Sequence, residues 1–430
     1  MKPIHTDSFK APEPAVDIYR MSWLSRPRRL LAVLTASSVL YLCAGISFAG
    51  AAAGPSGEAG SGPRGPAAPA ALSTAALSFT DLTSKDMWAK IAIQRVAQDR
   101  LWMRDFGDTK FRPSLDESRI LFARTLVRAY GNPDQAIDPH VSFNDLSESD
   151  ALFAFANIAV ANGWMRAGDG DFRPEQAVTL QEVYRGLVMT LPLSEEINGL
   201  DNIHDANGYH FDHPGSFPTT ELGMRLYFRY NHGSTSGTEA QDIEPDAPMP
   251  RAEVAWALFK RMSVSSGQLS ALKIYRNITL PALEPPQRKV VEFGLRYVGY
   301  PYIWGGEWYK ANGAQPTGGF DCSGLMWWLT KAPGDGYDNT KIRGYQGWSL
   351  PQRTSATMAA AGKSLKYGAI KPGDLMFYDG TGDGIVDHVD LNIGNGWSLD
   401  SSSSVGGVTI LRNGEGWYRD HFKHARHFTS

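Results

Sequence analysis

The sequence predicts a multidomain protein in two parts, an all-α region of helical repeats followed by an α+β domain. Three observations carry this. A pair of short motifs recurs along residues 79–263 with amphipathic helical stretches between and after them. Pro281, Pro285 and Pro286 then close a stretch with neither period, and beyond it one helical pattern gives way to short alternating strands.

Composition bounds the whole. At 430 residues the chain is too long for one ordinary core. Lys and Arg total 42 against 45 Asp and Glu, and no basic run stands out, so no nucleic-acid partner is expected.

Residues 1–49 read as a signal region. Arg26, Arg28 and Arg29 precede an apolar run, residues 30–46, and Ser47-Phe48-Ala49 is a small-residue cleavage site before Gly50. The polar, mixed-charge residues before Met21 are unlike such a region, and Met21 reads as the start. An uncleaved anchor is the alternative, since the apolar run is barely long enough to span; bulky Tyr41-Leu42 argue against a lipid on Cys43. Either way the expected location is secreted or at the cell envelope. Residues 50–78, almost wholly Ala, Gly, Pro and Ser, form a flexible linker.

The repeats follow. Phe79-Thr80-Asp81-Leu82 recurs as Phe143-Asn144-Asp145-Leu146, and Phe111-Arg112-Pro113 as Phe172-Arg173-Pro174. Between them lie helices carrying Trp88, Ile91, Ile93 and Val96, then Phe153, Phe155, Ile158 and Val160. Second helices, residues 119–130 and 180–191, close the two copies. A weaker third copy contains Ile243-Glu244-Pro245 and Pro250-Arg251-Ala252-Glu253 and runs to about Met262. The units are 79–131, 132–192 and 193–263, and such units must stack to bury their apolar faces. The pattern resembles the S-layer homology (SLH) domain, with its opening Phe-x-Asp, Phe-x-Pro loop and Thr-Arg-Ala-Glu. The resemblance implies a helical pseudo-trefoil that binds a pyruvylated secondary cell-wall polymer. Here the last motif is eroded to Ser118-Arg119-Ile120-Leu121, Thr179-Leu180-Gln181-Glu182 and Pro250-Arg251-Ala252-Glu253, leaving Arg119 and Arg251 to supply a guanidinium to an anionic sugar. A helical spacer without glycan affinity is the other reading.

A second linker, 264–286, leads to the α+β domain at 287–430, which opens with a helix over 287–298. Its chemistry starts at Cys322. With Cys43 in the signal region, no intramolecular disulfide is available to Cys322 after processing. Cys322 falls in the first turn of an apolar helix, where the partial positive charge of unpaired amides favours a thiolate and an oxyanion. Asp387-His388-Val389-Asp390-Leu391-Asn392-Ile393 alternates as a strand with Val389, Leu391 and Ile393 inward, so His388 shares the polar face with Asp390 and Asn392. After the turn at Gly394-Asn395-Gly396, a three-residue loop brings Asp400 diagonal to His388, where it orients the imidazole; a two-residue loop offers Ser401 instead.

These residues, with Gly299-Tyr300-Pro301-Tyr302-Ile303-Trp304-Gly305-Gly306, Phe320-Asp321-Cys322-Ser323-Gly324, Leu350-Pro351-Gln352-Arg353-Thr354-Ser355 and Lys371-Pro372-Gly373-Asp374-Leu375-Met376-Phe377, resemble the NlpC family of papain-like cell-wall cysteine peptidases. The resemblance implies Cys322 as nucleophile, His388 as base and Asp400 as third catalytic residue. It implies Tyr302 near the thiol and Asp321, Ser323 and Arg353 about the substrate. Two departures stand out. Asp390 replaces the usual Gly, and a carboxylate there should favour protonated His388; Gln352 is inserted before Arg353, which would displace Arg353. Asp379 to Asp387 reads as a polar Gly-rich hairpin, or as part of a calcium loop without its closing Glu.

The expected function is hydrolysis of peptidoglycan stem peptides between D-glutamate and a diamino acid, with no metal or organic cofactor. The rivals are an amidase or acyltransferase using the same dyad, and a wall-binding scaffold with a weak peptidase domain.

Overall fold

The computed structural model describes residues 79–132, 135–232, 242–306, 318–330 and 352–427, all within the compact unit Leu72–Ser430. The signal region, the 50–78 linker, Leu350 and Pro351 lie outside the described residues.

From residue 79 to 263 the described residues are mainly helical. Helix α1 (Lys90–Ile93) runs on as a π-helical turn, Gln94–Asp99. Then come α2 (Arg119–Tyr130), α3 (Phe153–Ala161), α4 (Leu180–Met189), α5 (Ser194–Asp201), the two-residue strand β1 (His204–Asp205), α6 (Phe217–Arg225) and α7 (Arg251–Met262). Helices α2, α4 and α7 each start where the sequence supplies a stop for the preceding chain. Ser118 caps α2 by accepting from the Leu121 amide, Thr179 and Glu182 form a capping box at α4, and Pro250 precedes α7. Ile93, Val96, Phe153 and Ile158 are buried as their spacing requires. Ile91 is not: it is 64 % exposed, because two residues from buried Ile93 it lies on the opposite side of the helix.

The segments ahead of α2, α4 and α7 close a ring. The Glu117 amide donates to Met249 O at 3.1 Å, Met249 to Val178 O at 2.9 Å and Val178 to Glu117 O at 2.8 Å. Isolated bridges repeat the pattern between Asp116 and Pro250, Ser118 and Ala177, and Thr179 and Pro248. Three chain segments thus satisfy one another's backbone groups in a closed ring.

Residues 264–286 depart from the expected linker. They hold α8 (Ser266–Ala271), a 3₁₀ turn (Leu272–Arg276) and β2 (Thr279–Leu280), which pairs in parallel with β1. Leu272, Tyr275, Ile278, Leu280 and Leu283 are all buried. The segment packs the two halves together rather than spacing them.

The C-terminal half opens with α9 (Pro285–Leu295), three residues shorter at its end than the 287–298 expected, and α10 (Cys322–Leu329), then α11 (Ser355–Ala360). Strands β3 (Lys363–Leu365), β4 (Leu375–Tyr378), β5 (His388–Gly394), β6 (Trp397–Ser402), β7 (Gly407–Arg412) and β8 (Phe422–His427) form an antiparallel sheet in the order β3-β8-β4-β5-β6-β7, with α12 (Gly416–His421) before β8. Val389, Leu391, Ile393, Leu399 and Phe377 join the main core, and Gly294 lets α9 lie so close to β6 that an added Cβ would sit 2.1 Å from Leu399. An edge strand leaves unpaired backbone groups. Here buried Glu221 of α6 covers the β7 edge, accepting from the Ile410 amide at 3.2 Å and the hydroxyls of Thr409 at 2.7 Å and Tyr275 at 2.9 Å. Arg229 adds a bond to Gly299 O at 2.6 Å, so the helical half is docked on the sheet through buried polar contacts.

Candidate active site

Asp321, Cys322 and Ser323 begin α10 as the sequence suggests. Asp321 is the N-cap: its Oδ1 accepts from the Gly324 amide at 2.5 Å, and its Oδ2 from the Gly305 amide at 3.0 Å. Gly324 is required by space, since a Cβ there would lie 1.9 Å from Gly306 O. Cys322 is thereby held in the first helical turn, 7 % exposed, at the end where the amides have no helical partners.

Arg353 is not displaced by the inserted Gln352. It donates to Asp321 Oδ1 at 3.1 Å, Ser323 Oγ at 2.9 Å and Gly306 O at 3.1 Å, tying the α10 start to the loop beside it. Tyr302 is brought to the same place by backbone pairing with Phe320, which also accepts from the Ile303 amide at 3.0 Å.

His388 is the first residue of β5, its side chain 17 % exposed. Its Nε2 lies 3.1 Å from Asp400 Oδ2, and its ring also hydrogen-bonds Cys322. Gly394, Asn395 and Gly396, all at positive φ, make the turn that sets this register. Ser401 points the other way, donating to Phe320 O at 2.8 Å. The choice left open by turn length therefore falls on Asp400. Burial works against charge on His388, but the charges of Asp400 and Cys322 and the hydrogen bonds to both outweigh it and hold the imidazole well above its ordinary value.

Two features escaped the sequence. Tyr418 of α12 donates to the same Asp400 oxygen at 2.8 Å. The His388 ring is also walled by Tyr378, Trp417 and Tyr418, with centroids 5.7, 5.7 and 6.0 Å away. The only signal was an aromatic pair after Gly416 in an otherwise polar tail. Asp390 corrects an expectation: it does not act as an extra charge beside His388. It is fully buried, and burial together with the Asp400 charge pushes its carboxyl up to about 8, so it is largely neutral near pH 7.

The other candidates are engaged within the fold. Arg251 is 1 % exposed and pairs with Asp105 at 2.8 Å and with Glu117, which removes it from reach of a glycan. Arg119 bonds Glu182 of the next repeat and Phe172 O, and it lines a cleft of about 300 Å³ with Arg166, Arg185, Gln181 and Trp164. In the Asp379–Asp387 hairpin, Asp387 accepts from the Gly380 and Thr381 amides, while Asp379 accepts from those of Gly382 and Gly384 and pairs with Lys423 at 2.9 Å. The loop's own amides thus use the oxygens a calcium ion would need. Among the described residues no three His, Cys, Asp or Glu gather as a metal site.

Residues 299–427 match the NlpC/P60 family, and this part of the chain is an NlpC/P60 domain. The chain is similar to the bifunctional muramidase/DL-endopeptidase CwlT of Bacillus subtilis, 34 % identical over 134 residues, 31 % of this chain and 33 % of that protein. It is similar to the gamma-D-glutamyl-L-lysine dipeptidyl-peptidase of Bacillus subtilis, 33 % identical over 28 % of this chain and 34 % of that protein. It is also similar to the peptidoglycan endopeptidase RipB of Mycobacterium tuberculosis, 35 % identical over 29 % of this chain and 48 % of that protein. The chain spans less than half the length of each of these relatives. Among solved structures, the P60 domain of the M. avium subspecies paratuberculosis antigen MAP1204 is 28 % identical, covering 34 % of this chain and 96 % of that one with a TM-score of 0.25.

Proposed function

We propose that the chain is a cysteine endopeptidase of the cell envelope that cleaves peptidoglycan stem peptides between D-glutamate and the diamino acid. The observation that carries this is the Cys322–His388–Asp400 array, a thiol at a helix start in contact with an imidazole held protonated by a buried carboxylate. The likeness of residues 299–427 to peptidoglycan endopeptidases supports the substrate class.

The chemistry follows from the groups present. The Cys322 thiolate adds to the scissile carbonyl carbon, and the charge that develops on oxygen falls at the amides of the first α10 turn. His388, as imidazolium, gives its proton to the leaving amine, the C–N bond breaks and a thioester remains. Neutral His388 then takes a proton from water as the water attacks, and the returning thiolate restores the ion pair. Asp400 orients the ring throughout, and Asp321, Ser323 and Arg353 line the approach. No step needs a metal.

Defined stem peptides digested by the chain and read by mass spectrometry test the assignment. Products ending in D-glutamate, with a free amine on the diamino acid, are expected; release at the lactyl–alanine amide, or transfer to an added amine, would instead identify the amidase or acyltransferase. A second contact with the wall belongs to the helical repeats, where the arginine-lined cleft at Arg119 suits an anionic polymer. Retention of the chain on purified walls, lost in Arg166→Glu, is the expected result; equal retention of the variant removes this contact.

A further inference from the structure

Strands β5 and β6 pair Leu391 with Leu399 and Asn392 with Ser398. One step further along that register, Asp390 stands directly across from Asp400, and such partners share a face of the sheet with Cβ atoms about 5 Å apart. Both side chains are fully buried. Asp390 Oδ2 accepts from the Tyr378 hydroxyl at 2.8 Å and its carboxyl is also hydrogen-bonded by Ser398, while Asp400 Oδ2 accepts from Tyr418 and faces His388. The second oxygen of each, Oδ1, is buried without a hydrogen-bond partner among the described residues.

Two facing buried carboxylates repel, and a single proton between them removes the repulsion and supplies the donor both lack. The groups around the pair come from every neighbouring element: Tyr378 of β4, His388 of β5, Ser398 of β6, Tyr418 of α12, and Cys322 of α10 through His388. On the far side, Thr409 of β7 gives its hydroxyl to Glu221, and Arg225 of α6 acts on Tyr418. None of these supplies a cation to Asp390 except His388, which Asp400 already holds. Asp390 is the member that keeps the proton, because it has the weaker set of partners.

We propose that Asp390 is a positioning residue: its protonated carboxyl donates a hydrogen bond to Asp400 and so holds Asp400 charged and aimed at His388. This deepens the peptidase reading and rests on it. Loss of the Asp390 proton places two charges face to face and loosens Asp400, so the site fails on the alkaline side as Asp390 ionises.

The test compares wild type, Asp390→Asn and Asp390→Ala in two readouts against pH, from about pH 6 to about pH 9.5. One is stem-peptide cleavage; the other is alkylation of Cys322 by iodoacetamide, which needs no peptide substrate. Asn keeps a donor without a titrating proton, so its rate near neutral pH should stay within about two-fold of wild type while the alkaline inflection of both readouts moves upward. Ala removes the donor and should lower kcat by about ten-fold or more with KM unchanged. An Asn profile that superposes on wild type, or a uniform loss across pH in both variants as from a merely structural change, overturns the proposal. If wild type cleaves no stem peptide yet the Asn variant still moves the alkylation inflection, the positioning role stands and the peptidase reading falls. Cleavage with an unmoved inflection gives the reverse.

Discussion

One oxygen of Asp400 serves both His388 and Tyr418, so the orientation of the imidazole depends on a tyrosine from a helix that touches neither Cys322 nor the substrate loops in sequence. Tyr418→Phe removes a hydrogen bond to a charged acceptor, worth roughly 1.5–3 kcal/mol. It should lower kcat by about ten-fold with little change in KM, as steady-state kinetics on a stem peptide would show. Asp400→Asn should cost more, since it also removes the charge that holds His388 protonated, and the alkaline limb of the pH–rate profile should move to lower pH with it. Cys322, His388 and Asp400 were legible because each sits at a fixed offset from a helix start or a glycine turn. Tyr418 was not, because nothing local distinguishes it from any aromatic on a short exposed helix. Asp390 was read correctly as to face but wrongly as to charge: alternation gives the side of a strand, and burial decides ionisation.

Among the elements, the ring formed by the starts of α2, α4 and α7 is tied across by two arginines. Arg251 spans from α7 to Glu117 and Asp105 of the first repeat, and Arg119 from α2 to Glu182 of the second. Breaking a buried pair by removing one partner leaves an uncompensated charge and costs roughly 3–5 kcal/mol. Arg251→Ala should therefore lower the urea midpoint sharply by circular dichroism, whereas Arg185→Ala, at the rim of the cleft, should change it far less. The ring itself was legible only as repetition, since periodicity reveals the helices but not which backbone groups they exchange. Residues 264–286 were misread for a related reason. Leu272, Tyr275, Ile278, Leu280 and Leu283 are core residues at spacings that fit neither a helix nor a strand, and the prolines beside them imitate a spacer.

Across the whole molecule, several buried groups bind protons more tightly when folded. Asp390 is pushed up to about 8 and Asp242 to about 7, each chiefly by burial, and His388 is held well above 6.5. A raised folded value contributes stability that is full below the unfolded pKa and is lost as pH rises through the folded one. For the two acids that window runs from 3.8 to about 7 or 8, and for His388 it lies above 6.5. Asp108, Asp205 and Asp379 are lowered from 3.8 and lose their contribution only at stronger acid. Thermal unfolding should thus give a higher Tm near pH 5 than near pH 8, and Asp390→Asn should narrow the difference; a Tm that rises between those values contradicts the assignment of these protons. The measurement that tests the central claim most directly is digestion of whole sacculi by the chain and by Cys322→Ala side by side. Soluble stem-peptide fragments released by the first and absent with the second are what a thiolate mechanism predicts. Equal release by both would show that Cys322 is not the nucleophile.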